Sequence, residues 1–144
     1  AERSTSRRPS LKFQPDTLEG VNNITRQEPG RVWVGAQAYT RSLLVPWVGE
    51  VQPWGIDSLD ALTAEHFARI VALAPEVVIF GSGSRIRFVH PSLTRALIER
   101  RIGVETMDTA AACRTYNVLV AERRSVLAAL LLEGPENMAA KVPA

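Results

Sequence analysis

Residues 76–81, Glu-Val-Val-Ile-Phe-Gly, contain an apolar run with no alternation, and the chain leaves it through Gly81-Ser82-Gly83-Ser84. A strand with one wet face alternates apolar and polar residues. A strand that is apolar at successive positions has both faces covered. Covering both faces requires a layer above the sheet and a layer below it, which predicts a three-layer α/β domain. The flanking segments supply those layers. Phe67, Ile70, Val71 and Ala74 recur at helical spacing, with Thr63 as the expected cap and Pro75 as the stop. Residues 91–101 predict a second helix: Pro91 fits a first turn, Leu93 and Leu97 share a face, and Gly103 is the expected terminator.

A short strand over 103–107 comes next, then a helix over 108–124 capped by Asp108 or Thr109, with Ala112, Tyr116, Leu119 and Val120 on its apolar face. A last strand spans 125–133. The strand–helix–strand unit from 76 to 107 implies parallel strands joined by a right-handed crossover. The connection near 125 admits either direction for the last strand, so the central sheet is expected to be mixed and partly parallel. Upstream, residues 21–27, 31–34 and 37–45 read as a small antiparallel β meander, with Pro29 and Gly30 at its first turn. Residues 46–57, broken by Pro46, Gly49, Pro53 and Gly55, read as a loop carrying Trp47 and Trp54. The 144 residues predict one α/β domain over 13–133, with tails at 1–12 and 134–144.

The net charge is only +2. Arg3, Arg7 and Arg8 cluster among serines, threonine and proline, the pattern of a solvated terminus rather than a basic stripe on a folded element. Nucleic-acid binding therefore ranks low among the expected functions. Cys113 is the only cysteine, so no intrachain disulfide and no cysteine-pair metal site is expected. No apolar run approaches the ~18 residues of a membrane span. The expected location is cytoplasmic.

In an open α/β sheet, ligands bind beyond the carboxyl ends of the strands. Gly81, Ser82, Gly83, Ser84 and Arg85 follow one such end, and Asp108 and Thr109 follow another. If those strands are neighbours, the loops border one crevice. Backbone N–H groups and the start of the 108–124 helix would then favour an anion, with Arg85 or Arg87 adding a guanidinium. Against this, the third glycine of the dinucleotide fingerprint is missing, as is the Lys-Ser or Lys-Thr of a P-loop, and Asp108 opposes an anion. The competing expectation is that Gly81 and Gly83 simply turn the chain.

No catalytic residue is assigned. His66 and His90 lack metal-ligand spacing, Cys113 sits among alanines as a small buried thiol, and Ser82 and Ser84 lack the Gly-x-Ser-x-Gly elbow. No metal and no cofactor are expected. Tyr116 is expected in the core, and Asn117 is expected to tie down a neighbouring loop. Trp47 and Trp54 form a partner-binding patch if both are exposed, or a cap over the core if folded down.

The segments "GVETMDTAAACRTYNVLVAE" (103–122), "VVIFGSGSR" (77–85) and "SLLVP" (42–46) together resemble a small α/β domain family that includes the mitochondrial assembly factor of respiratory complex I, NADH:ubiquinone oxidoreductase. The resemblance covers about residues 20–133 and rests on Gly81-Ser82-Gly83, Gly103-Val104-Glu105, Asp108-Thr109, Ala112-Cys113 and Thr115-Tyr116-Asn117. It implies a three-layer fold with a mixed sheet and no established activity or cofactor. It also implies that the eukaryotic relatives act in complex assembly through protein–protein contacts. The first expected function is a non-catalytic accessory or assembly role through contacts with another protein, with the 46–54 loop and the sheet edge as its candidate surfaces. The alternative function is a small-molecule (anion) binder, or an enzyme, using the cleft between loops 81–85 and 108–109.

Overall fold

A computed structural model describes residues 20–133. The expected tails at 1–12 and 134–144 lie outside the described residues. The first three strands, β1 (Ile24–Glu28), β2 (Arg31–Val34) and β3 (Gln37–Tyr39), make an antiparallel meander. The segment expected as one strand over 37–45 is two. After Tyr39 the chain leaves the meander and enters the central sheet as β4 (Leu43–Pro46), whose residues are all buried. At the break Thr40 and Arg41 are exposed and Ser42 is buried. The expected 46–57 loop also contains β5 (Gln52–Pro53), a two-residue edge strand on β4.

The central sheet is completed by β6 (Val77–Gly81), β7 (Gly103–Met107) and β8 (Val126–Leu130), in the order β5-β4-β8-β6-β7. β6 is parallel to both β7 and β8, while β8 is antiparallel to β4. That settles the direction of the last strand and makes the sheet mixed. β6 lies between β8 and β7, and its side chains go alternately to two cores. Val77 and Ile79 join the core on one side, with α3 (Thr109–Ala121) and the meander. Val78 and Phe80 join the core on the other, beneath α1 (Ala64–Ala68) and α2 (Arg95–Glu99). The unalternating run thus reflects a strand with two dry faces.

Both short helices run into 3-10 turns. α1 continues as one over Arg69–Leu73, and α2 is preceded by one over Pro91–Thr94. Thr63 caps α1 as expected, and His66 at the third helical position accepts the Thr63 N–H at Nδ1 (2.9 Å). Gly103 is not the terminator of α2. The chain turns at Arg101, whose φ is +61°, and Gly103 is already the first residue of β7. Trp54, Phe67 and Phe80 pack edge to face with centroids 5.5–5.9 Å apart, and the Trp54 indole N–H donates to the His66 carbonyl (3.0 Å). Each of these fully buried rings contributes roughly 1.5–3 kcal/mol of burial.

On the opposite face, α3 joins the meander to the sheet. Its Tyr116 hydroxyl donates to the Asn22 carbonyl (2.8 Å). The Asn117 amide N–H donates to the Ile24 carbonyl (2.7 Å), and its oxygen accepts the Ile24 N–H (3.0 Å). Asn117 thereby pairs with β1 as a neighbouring strand would, which accounts for a poor helix former in mid-helix.

Candidate functional site

The ends of β6, β7 and β8 lie side by side: Gly81 is in register with Met107 on one flank and Leu130 on the other. The loops after β6 and β7 therefore close on each other. Gly81 sits where strand and helix approach most closely, since a Cβ there would lie 3.0 Å from Thr109 Cα and 3.1 Å from Ala112 Cβ. Gly83 turns the chain at φ +107°, a conformation suited to glycine.

Four of the N–H donors expected to face an anion are turned inward. Ser82 N–H donates to the Met107 carbonyl (2.9 Å), and Gly83 N–H donates to Thr109 Oγ1 (2.9 Å). At the start of α3, Thr109 N–H donates to the Gly83 carbonyl (2.8 Å) and Ala111 N–H to Asp108 Oδ1 (2.8 Å). The Thr109 hydroxyl in turn donates to the Leu131 carbonyl (3.0 Å). Ser82 is fully buried; its hydroxyl accepts the Arg87 N–H (2.9 Å) and donates to the Arg85 carbonyl (2.8 Å). The loop holds itself and the strand ends together with four of the N–H groups that a phosphate cradle would offer.

Above this floor lies a cleft of about 230 Å³. Of the residues named from the sequence, Gly83, Ser84, Asp108 and Thr109 line it, whereas Gly81 and Ser82 lie beneath it and the exposed Arg85 is not among its lining residues. Sequence reasoning did not find the other walls. Gln27, Pro29 and Gly30 come from the β1–β2 turn, and Leu131, Leu132 and Glu133 follow β8. With the direction of the last strand open, nothing placed its trailing end at this rim. Arg87 Nη2 contacts Glu133 Oε2 at 2.9 Å, with those side chains only 19% and 4% exposed. The same nitrogen donates to the Ser82 carbonyl (2.8 Å). The guanidinium is thus engaged from two sides and its charge offsets that of Glu133, while the Asp108 carboxylate at the cleft disfavours an anion.

Cys113 is buried in α3, and burial pushes its thiol up to about 12, far from a nucleophile's range. Among the described residues, no group of three or more His, Cys, Asp or Glu side chains is placed to hold a metal. No helix there is long and apolar enough to cross a membrane.

A second concave surface lies on the α2 side of β7, a groove of about 440 Å³. Phe88 and Ile98 line it and are 72% and 58% exposed; Ile86, two residues before Phe88, is half exposed. The tryptophans are not this kind of surface. Trp54 is fully buried in the α1 side core, so the two cannot form one exposed patch, and Trp47 is half-buried against the α3 side. Trp54 follows the core alternative, because its indole fills the angle between Phe67 and Phe80.

Residues 24–131 match the family described as protein of unknown function (DUF498/DUF598). The chain belongs to the DUF498/DUF598 family. It is 33% identical over 122 residues to NADH dehydrogenase (ubiquinone) 1 alpha subcomplex assembly factor 3 of Xenopus tropicalis, covering 83% of this chain and 66% of that protein. It is 30% identical over 71 residues to a 13 kDa major membrane protein of Francisella tularensis, covering 49% of this chain and 58% of that one. The chain thus spans less than two-thirds of both curated relatives. A solved Bordetella parapertussis protein superposes with a TM-score of 0.76 at 34% identity, covering 81% of this chain and 100% of that chain. The resemblance read from the strand ends and α3, to a small α/β family that includes a complex I assembly factor, is therefore shown.

Proposed function

We propose that the chain is a non-catalytic accessory or assembly-type protein of the cytoplasm that works through contacts with another protein. The observation that carries this reading is the groove beside β7, where Phe88 and Ile98 are exposed together with Ile86 close by, while the other exposed large apolar side chains, Val48 and Val118, do not line it. Exposed large apolar side chains around a groove mark interaction sites. Similarity to an assembly factor over 83% of the chain supports the same reading. The test is chemical cross-linking in native extract with the tagged chain, read by mass spectrometry. The unaltered chain is expected to capture a reproducible partner that the Phe88→Ser/Ile98→Ser chain loses. No reproducible partner for the unaltered chain would overturn the reading.

A second reading puts a small molecule in the cleft bounded by Gly83, Ser84, Asp108 and Thr109, at the strand ends where α/β sheets bind ligands. Asp108 and the four committed N–H groups favour an uncharged or cationic ligand over an anion. Thermal-shift screening against amines, phosphates, nucleotides and carboxylates tests it. No stabilisation at millimolar ligand would remove it.

A further inference from the structure

The outer edge of β7 has no strand against it among the described residues. Its hydrogen-bonding pattern follows from the register. Gly103 N–H donates to the Glu76 carbonyl, and the Met107 carbonyl accepts the Ser82 N–H, so Gly103, Glu105 and Met107 turn their backbone groups toward β6. In a strand the next residues turn theirs the other way. Val104 and Thr106 therefore direct two N–H groups and two carbonyls outward, and both residues line the groove that holds Phe88 and Ile98. A row of open ladder groups beside apolar side chains is the arrangement that accepts an added strand.

Arg101, the one charged residue lining this groove, is exposed. The ion pairs found among the described residues join Arg26 to Glu28, Arg41 to Asp57, Arg87 to Glu133 and Arg124 to Glu76, and none of them engages Arg101. The groove thus offers apolar contact, four backbone groups and one uncompensated positive charge.

Resting on the accessory reading above, we propose that β7 receives an extended segment of a partner protein as a sixth strand, apolar at alternate residues and carrying a carboxylate that meets Arg101. A second copy of this chain fits less well. A two-fold pairing that overlaps all of Gly103–Met107 places Glu105 opposite its own copy, and like charges directly opposed across strands are destabilising.

The test is selection of random dodecapeptides displayed on phage against the full chain, followed by amide exchange with the winning peptides. Selected peptides are expected to alternate apolar residues and to share an Asp or Glu. Their binding slows exchange of the Val104 and Thr106 amides by about tenfold or more. Arg101→Glu weakens them by roughly tenfold, the scale of a charged hydrogen bond, and moves the selection toward Lys or Arg. Thr106→Pro removes an outward N–H and abolishes binding, while protection of the β6 amides reports that the fold is intact.

Failure to enrich any peptide, protection elsewhere on the chain, or a dimer with Val104 and Thr106 already protected would each overturn the proposal. In the cross-linking experiment, Thr106→Pro and Arg101→Glu are expected to lose the partner. If they keep it while Phe88→Ser/Ile98→Ser loses it, strand addition falls and the accessory reading stands. An unaltered chain that captures no partner removes both.

Discussion

Gly83 and Thr109 hold each other by two hydrogen bonds: the Gly83 N–H reaches the Thr109 hydroxyl at 2.9 Å, and the Thr109 N–H reaches the Gly83 carbonyl at 2.8 Å. Replacing Thr109 by Val keeps the shape and removes the hydroxyl, leaving the Gly83 N–H and the Leu131 carbonyl unpaired. The expected cost is about 1–3 kcal/mol for each buried group stranded, whereas Thr109→Ser costs under about 1 kcal/mol because the hydroxyl remains. Urea denaturation midpoints at unchanged m value check this.

Gly81→Ala is expected to destabilise through crowding rather than through backbone conformation. The added methyl lies 3.0 Å from the Thr109 Cα, a backbone atom that moves only with the helix. Overpacking of this kind costs about 1–3 kcal/mol. Pairing the change with Ala112→Gly, which removes one of the opposing methyls, should recover part of the loss in a thermal melt.

Asn117→Leu removes both bonds to Ile24 and loosens the meander from α3. A stability loss of about 1–3 kcal/mol is expected. The local signature is faster exchange of the Ile24 amide with the β6 amides unchanged, measured by hydrogen exchange.

Alkaline pH should weaken the fold through α3. Burial raises the Cys113 thiol from 9.0 to about 12 and also raises the Tyr116 phenol. Between about pH 9 and 12 the unfolded chain therefore releases protons that the folded chain keeps. Stability is full below the unfolded values and falls as pH rises through that window. Cys113→Ala is expected to flatten the part of the decline that begins near pH 9. In the folded protein at pH 8, Cys113 should resist alkylation and react only when urea opens the core.

Much of this architecture was legible because burial leaves a pattern. Val77–Gly81 reads as a doubly covered strand from residue types alone, and Pro91, Asp108 and the apolar side of α3 mark their elements correctly. The misses have tertiary causes. Residues 37–45 read as one strand because nothing local shows that the chain changes sheets between Tyr39 and Leu43. Arg101 took the left-handed turn expected of Gly103 because α2 ends before that glycine, at the first residue of β7.

In the cleft, the flanking loops were legible from the strand ends, but Glu133 was not, because its position depends on β8 running parallel to β6. The number of N–H groups in the Gly81–Ser84 loop was also legible, but not where they point. That was decided by Thr109 and Met107, which are distant in sequence.

The strand order has a consequence for synthesis. β4 and β5 reach the rest of the central sheet only through β8, with Leu43 opposite Leu130. Contacts of α3 with the meander and of Trp54 with Phe80 can form before β8 is made, but the central ladder cannot close until Val126–Leu130 emerges from the ribosome. A nascent chain stalled before that point leaves the apolar edges of β4 and β6 unpaired, and such edges invite capture by chaperones or by each other.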